Sequence, residues 1–386
     1  MSTPLEPPGV GIARRQFVRR AGGLVLASSF GGNVIAACGG DDGQRTQEVG
    51  GTLRTFNYAG YDDKDIAAPF LKKNDVTLKS APINNPDEIL TKLKAGGTKQ
   101  FDLVSPNAAQ APELVAADLL QEVDYSQIPR TEQYLPNMAS LGPETFAVDG
   151  TTYVAPYIWG INGLIYNKAS VAETPESWED LLRPEYKGKL VLFDTAADNV
   201  ATWSRVLGFD YTRLTRAQLD ELTDFLIDLK KSHVKTFAGS YDDVADQLTR
   251  GDLWAVATAT WIAVPQLAKV KGAGAKDVTW TLPKEGGVTW IDGWVIPKDA
   301  PNPATAHAFV NYMLGKKQQA ALAEKFTSGT VVKDAVPLLS AEAKQIYPYD
   351  DFALLEDKAP VYEFPPPEAE VQISDWTKAW TRVQAA

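Results

Sequence analysis

After residue 51, short apolar runs alternate with longer stretches in which apolar residues recur every three or four positions. The short runs are typical of β-strands, and the longer stretches are typical of α-helices with one buried face. The first strands are predicted at residues 52–57, 76–80 and 102–105, with helices around Ile66, Ile89 and Leu114. This succession predicts a parallel sheet covered by helices, a first α/β unit.

A long, poorly periodic segment then ends in an extended run at residues 151–160, after which the alternation restarts. Strands are predicted at residues 163–166 and 189–193, and a helix is predicted to start near Asp198. A longer helix at residues 215–231 has a leucine face. These elements predict a second α/β unit.

A third strand pattern, at residues 288–297, leads into helices around Phe309 and Leu322. Two α/β units joined by extended crossings can rotate about those crossings as a hinge. We therefore expect the functional site in the cleft between the units.

The N-terminal segment has a different pattern. A basic pair, Arg14 and Arg15, precedes a weakly apolar stretch at residues 21–37 that contains four Gly, two Ser and one Asn. A spanning helix needs about 20 strongly apolar residues, so this pattern favours a twin-arginine export signal at residues 1–37. Ile35, Ala36 and Ala37 precede Cys38 in a run that resembles a bacterial lipobox.

Cleavage at that point would make Cys38 the lipid-bearing N-terminus, which anchors the chain without spanning the membrane. We expect a periplasmic or cell-surface protein held at the outer face of the cytoplasmic membrane. Residues 38–50 lack periodicity and are predicted to be a flexible tether. Cys38 is the only cysteine, so no disulfide framework is expected.

The charge balance bears on possible partners. The whole chain has a formal net charge of -11, and residues 1–37 contain four Arg and one Glu, so the mature chain is at -14. Such a field repels nucleic acid and favours cations. We expect no nucleic-acid partner and consider a cationic ligand.

Catalytic signatures for zinc proteases, serine hydrolases and nucleotide-binding loops are absent from the sequence. The two histidines, His233 and His307, are far apart and are expected to pack rather than react. Without clustered His or Cys, neither a transition metal nor another cofactor is expected. The acidic run at residues 62–65 is interpreted as a solvated helix start. The protein is therefore predicted not to be an enzyme.

The strand at residues 288–297 supplies the sharpest site prediction. Because successive side chains of a strand alternate faces, Trp290, Asp292 and Trp294 are predicted to point the same way. That face is either a half-exposed edge or a place where an ammonium lies over an indole and pairs with a carboxylate.

Other polar and aromatic residues follow predicted strands, where parallel sheets bind ligands. Tyr58 and Tyr61 follow the first strand, and Asn107 follows the third. Asp198 is either a site residue or a first-turn residue of a helix, and Trp261 is either a pocket wall or core.

Three longer runs, at residues 153–160, 177–189 and 282–287, resemble the bacterial spermidine/putrescine-binding proteins, the substrate-binding components of ABC importers. The resemblance covers about residues 53–339. It implies a type II periplasmic-binding-protein fold, α/β in class, with two lobes that close on a ligand and deliver it to a membrane permease. Local alignment puts the family's carboxylate and aromatic contacts on Tyr58, Tyr61, Asp198, Trp290 and Asp292.

The predicted lobe boundaries are residues 51–159 with about 293–335 for lobe 1, and residues 160–292 with about 336–386 for lobe 2. The predicted ligand is a small organic cation, a polyamine such as putrescine or spermidine, bound by a monomer. Expected wall positions such as Ala59, Gly60, Ala109, Ala259 and Ser328 carry small side chains. The same fold with an amino acid or opine-like ligand is therefore one alternative, and an exported carboxylate-dependent hydrolase is another.

Overall fold

A computed structural model describes residues 48–83, 86, 88–136, 138, 146–239, 242–260, 277–347, 349, 358–366 and 368–386. The first sheet contains β1 (Gly51–Asn57), β2 (Val76–Pro82) and β3 (Leu103–Val104). The three strands are parallel, as predicted, and their order in the sheet is β2, β1, β3. Helices that connect and cover this sheet are α1 (Lys64–Lys73), α2 (Glu88–Lys94) and α3 (Ala111–Ala116).

The second sheet is mixed and has β7 (Ala155–Asn167) at its centre. The runs predicted as separate segments before and after residue 162 form this single strand of 13 residues, all buried. β8 (Leu190–Phe193) lies parallel to β9 (Val234–Ala238) and β10 (Ala255–Thr260). β7 pairs antiparallel with β10, β11 (Val278–Thr281), β12 (Val288–Trp294) and β14 (Gly329–Thr330).

Small pairings complete the strands: β4 (Leu120–Gln121) with β13 (Ile296–Pro297), and β5 (Ala147–Val148) with β6 (Thr151–Thr152). The later helices are α4 (Ala196–Val206), α5 (Arg216–Ser232), α6 (Asp242–Arg250), α7 (Pro303–Met313), α8 (Lys316–Phe326), α9 (Ala341–Ile346) and α10 (Ile373–Ala385). Within the described ranges, no helix combines the length and apolar character needed to cross a membrane.

Two strands run from one hydrophobic core to the other. In β7, Trp159 belongs to the core around the first sheet, whereas Leu164 belongs to the core around the second. In β12, Ile291 belongs to the core around the first sheet and Val288 belongs to the core around the second. The protein therefore has the predicted two-lobed α/β fold, and β7 and β12 are crossings between the lobes.

The segment after residue 340 differs from the sequence interpretation, which gave residues 336–386 to the second lobe. Ala343, Tyr347, Tyr349 and Ala359 pack in the core of the first sheet. Tyr362 and Trp376, further along, pack in the core of the second. Near residue 360 the chain thus passes from one core to the other once more.

Candidate functional site

Asp292 lies on the β12 crossing and is only 7% exposed. The Tyr61 hydroxyl donates a hydrogen bond to its Oδ2 at 2.5 Å, and Asn107 Nδ2 donates to its Oδ1 at 3.3 Å. Tyr61 is in the loop after β1, and Asn107 follows β3 and pairs with Asp292 in an antiparallel bridge. Three of the predicted site residues therefore meet at one carboxylate.

The carboxylate of Asp292 is held by neutral donors only. Burial raises its pKa from the ordinary 3.8 to about 7, although the Tyr61 and Asn107 hydrogen bonds act in the opposite direction. No ion pair in the described part of the chain includes Asp292. A cation that reached this carboxylate would supply the opposite charge that these contacts do not.

The phenol of Tyr61 is protonated and can therefore donate a hydrogen bond. Burial and the neighbouring charge of Asp292 raise the pKa of its phenol well above 10, so the hydroxyl keeps its proton. The ring of Tyr58 contacts the ring of Tyr61 edge-on, with centroids 5.5 Å apart. Tyr58 is half-buried, so part of its surface reaches solvent on the side of the Tyr61–Tyr58 pair.

Trp290 lies two residues before Asp292 on the same face of β12. Its register partner is Gly160 of β7, and a Cβ atom at Gly160 would lie 2.3 Å from Cζ2 of the indole. The indole N–H donates to Thr260 Oγ1 at 3.1 Å. Gly160 therefore lets the ring lie against the strand, and Thr260 fixes its direction.

Trp294 was predicted to share the ligand-facing surface with Trp290 and Asp292, but it is fully buried. Its ring packs against Tyr157 and Phe309, with centroids 5.3 and 6.3 Å away. The strand pairing shifts register directly after Asp292, where the chain enters the core of the first lobe. Of these two indoles, Trp290 is partly exposed and Trp294 is not.

Asp198 is a half-buried carboxylate in the first turn of α4. Asn162 Nδ2 donates to its Oδ1 at 2.9 Å, and Thr195 Oγ1 donates to its Oδ2 at 2.7 Å. Burial raises its pKa from 3.8 to about 6, against those two hydrogen bonds. It too lacks a cationic partner among the described ion pairs.

The pairing of β7 with β12 sets the distance between Asp292 and the residue that bonds to Asp198. Asp292 is opposite Ile158, Trp290 is opposite Gly160, and Asn162, which holds Asp198, lies two residues further along β7. Ile158 and Asn162 are four residues apart, about 13 Å at the usual rise of a strand. The same face of the ladder thus carries Asp292, then an indole, then the amide that binds Asp198.

Two of the residues predicted from the sequence, Trp261 and Cys38, lie outside the residues that the structure describes. The histidines pack as predicted: His233 bonds to Ser232 Oγ and Leu182 O, while His307 bonds to Pro303 O and accepts from Asp124 N. No group of three or more metal-binding side chains occurs in the residues that the structure describes.

The interpretation of the acidic run at residues 62–65 was partly wrong. Asp63 caps α1 by accepting from the backbone of Asp65 and Ile66, as a helix start requires. Asp62, however, is 6% exposed and turns into the protein interior. Sequence reasoning also missed Gly160, Asn162 and Thr260, whose roles depend on strand register and leave no local signal.

A family model described as bacterial extracellular solute-binding protein matches residues 65–348. Because this span covers well over half of the chain, the protein belongs to that family. The structural neighbours have the type II periplasmic-binding-protein fold. The homologous proteins bind solutes for ABC transporters and are not enzymes.

Particular relatives narrow the comparison. The putrescine-binding periplasmic protein PotF of Escherichia coli is 28% identical over 86% of this chain and 91% of its own length. Spermidine/putrescine-binding periplasmic protein 1 of Haemophilus influenzae is 26% identical over 86% and 92%. A solved spermidine/putrescine ABC transporter substrate-binding protein, PotD of Streptococcus pneumoniae, has a TM-score of 0.70 at 25% identity, covering 86% and 97%.

Proposed function

We propose that this protein is the solute-binding component of an ABC importer and that it captures a polyamine in the cleft crossed by β7 and β12. The observation that carries the proposal is the buried carboxylate of Asp292, which has hydrogen-bond donors but no cationic partner among the described ion pairs. An ammonium group satisfies such a carboxylate with charge-assisted hydrogen bonds.

The other residues on the same face extend the match to a polyamine. The indole of Trp290 offers a flat apolar surface for methylenes and an electron-rich face for a cation. Asp198 offers a second carboxylate beyond that indole, held by Asn162 and Thr195. A chain with an ammonium at each end and methylenes between them has the same order of groups.

Capture then depends on differential affinity. A ligand that contacts residues of both lobes stabilises the closed arrangement by the difference between its affinities for the two arrangements. Tyr61 and Asn107 belong to the first lobe, whereas Asp198 belongs to the second. A diamine that reached both carboxylates would therefore link the lobes, whereas a neutral analogue would leave the buried Asp292 and the half-buried Asp198 without a cationic partner.

An amino acid or opine-like ligand would call for a basic side chain to hold its carboxylate. In the described part of the chain, the ion pairs of Lys and Arg involve neither Asp292 nor Asp198. That charge distribution favours a cationic ligand over the alternative.

A thermal-shift screen of the purified protein tests the proposal. Putrescine, spermidine, amino acids and sugars are compared at equal concentration. A ligand present at about 100 times its Kd adds roughly 2.7 kcal/mol to the free energy of unfolding. We expect the polyamines to raise Tm, whereas a rise only with anionic or neutral compounds would contradict the proposal.

We also propose the finer assignments made from the N-terminal sequence: twin-arginine export, lipidation of Cys38 and a monomeric mature protein. Replacing Arg14 and Arg15 by lysine should retain the protein in the cytoplasm. Cys38→Ser should move it from the membrane fraction to the soluble fraction, and mass spectrometry of the membrane-bound form should show the lipid. An unmodified Cys38 would refute the anchor.

A further inference from the structure

The loop between β1 and α1, residues 58–63, contains a buried carboxylate next to the site residue Tyr61. Oδ2 of Asp62 accepts hydrogen bonds from Thr55 Oγ1, at 2.5 Å, and from Ser80 Oγ. Its Oδ1 accepts from Asn57 Nδ2 at 3.1 Å. Thr55 and Asn57 belong to β1 and Ser80 belongs to β2, so this one side chain ties the loop to two strands.

No described ion pair includes Asp62, so its contacts are all with neutral donors. A buried polar group needs all its hydrogen bonds, and an apolar residue of similar size often serves stability equally well. A carboxylate also fixes the orientation of the loop, because its two oxygens accept hydrogen bonds from donors at fixed places on the sheet. The Asp62 side chain therefore fixes the loop relative to β1 and β2.

Tyr61 is held on its other side by the β7 crossing. The Tyr157 hydroxyl donates to the backbone oxygen of Tyr61 at 2.7 Å, and the two rings are 6.0 Å apart. The backbone of the loop closes on itself through bonds from Tyr61 N to Tyr58 O and from Asp63 N to Gly60 O. With its carbonyl and the next side chain both fixed, Tyr61 has little freedom in where its hydroxyl points.

We propose that Asp62 is a positioning residue, which directs the Tyr61 hydroxyl onto Asp292 and thereby sets how strongly the site holds a cation. The effect on ligand affinity rests on the proposed function, but the effect on Asp292 itself does not. A hydroxyl that donates to a carboxylate stabilises its ionised form, which is the form that pairs with an ammonium. The phenols of Tyr58 and Tyr157 lie near Tyr61, and the carboxylates of Asp62 and Asp63 lie near Tyr157.

The test combines Asp62→Asn with Tyr61→Phe, singly and together. An asparagine at position 62 keeps one acceptor oxygen but turns an NH₂ group toward donors. The first readout is the pKa of Asp292 in the ligand-free protein, measured by NMR of the side-chain carboxyl carbon. The Asp292→Asn variant assigns the signal. The second is the Kd for putrescine from calorimetry at pH 7.

We expect Tyr61→Phe to raise the pKa of Asp292 and to weaken putrescine binding about tenfold. Asp62→Asn should shift both quantities in the same direction. Loss of its negative charge would by itself lower the pKa of Asp292, so a raised pKa reports the lost positioning of the hydroxyl. Together the two substitutions should do no more than Tyr61→Phe alone, because Asp62 acts through the hydroxyl that is already gone. Ser80→Ala, which removes one donor to Asp62, should give a smaller shift of the same sign and serves if Asp62→Asn does not fold.

Asp63→Asn is the matched control. Asp63 is the adjacent residue, caps α1 and pairs with Lys325 at 2.5 Å, and none of its contacts in the described part of the chain reaches β1 or β2. It should lower Tm without moving the pKa of Asp292 or the Kd for putrescine.

The inference is overturned if Asp62→Asn lowers Tm yet leaves the pKa of Asp292 unchanged, or if its effect on that pKa adds to the effect of Tyr61→Phe. A different result separates the two proposals. If the wild-type protein binds no putrescine while Asp62→Asn still raises the pKa of Asp292, the polyamine assignment fails and the positioning role stands.

Discussion

The hydroxyl of Tyr61 lies 2.5 Å from Oδ2 of Asp292, although 231 positions separate the two residues in the chain. One follows the first strand of the first sheet, and the other is on a crossing between the lobes. The contact places a neutral donor against a carboxylate that is almost fully buried. The donor leaves the charge of the carboxylate unpaired, which is the condition that the proposed binding of a cation requires.

Replacement of Asp292 should remove ligand binding. Asp292→Asn keeps the size of the side chain but takes away the charge that an ammonium requires, and loss of one partner of a buried charge pair costs about 2–5 kcal/mol. We expect the Kd for putrescine to rise at least 30-fold in calorimetry. Asp299→Asn, at an exposed aspartate outside the site, should leave Kd unchanged; equal loss in both variants would indicate only a general charge effect.

Asp198 should distinguish diamines from monoamines. If it receives the second ammonium, Asp198→Asn should weaken putrescine by about tenfold and weaken butylamine much less, because butylamine has one ammonium. The measurement is the ratio of the two Kd values in wild type and variant. Asp224→Asn, on the exposed side of α5, is the control. A ratio that Asp198→Asn does not change would remove Asp198 from the ligand contacts.

Binding should strengthen as pH rises. The raised pKa of Asp292, about 7, means that the empty site binds a proton below neutrality, and the cation must displace it. Between pH 8 and pH 5 the Kd should increase roughly 100-fold from Asp292 alone, with a further loss near pH 6 from Asp198. Putrescine keeps its charge across this range. Calorimetry at four pH values checks the trend, and a flat profile would show that neither carboxylate is protonated in the empty protein.

Gly160 should tolerate no side chain. In Gly160→Ala the new Cβ would overlap Cζ2 of Trp290, so the indole must leave its position against β7. We expect the Kd for putrescine to rise about fivefold or more, with a change in tryptophan fluorescence. Gly239→Ala, where a Cβ meets open space, is the matched control. Unchanged affinity in Gly160→Ala would mean that the indole does not face the ligand.

The sequence predicted the fold well because its elements follow local periodicity. The β1, β2 and α5 segments were placed within a residue or two of where the structure has them. Asp292 and Trp290 could be chosen because strand alternation puts them on one face, and Tyr61 because it follows a parallel strand. The α/β class and the two lobes followed from the order of these elements.

What the sequence did not predict depends on contacts between distant segments. Strand alternation gave the face of Trp294 but not the core that covers it. The role of Asn162 depends on the register of β7 and on the helix that brings Asp198 to it. Asp62 looked like a solvated helix start because its partners, Thr55 and Ser80, lie on separate strands that local pattern does not bring together.

The most direct measurement compares putrescine with 1,4-butanediol, a neutral compound of the same length, by calorimetry on the wild-type protein at pH 8. We expect putrescine to bind and the diol to bind at least 100-fold more weakly, because only the ammonium groups pair with Asp292 and Asp198. Equal affinity for the two compounds, or binding of the diol alone, would contradict a site built to hold a cation.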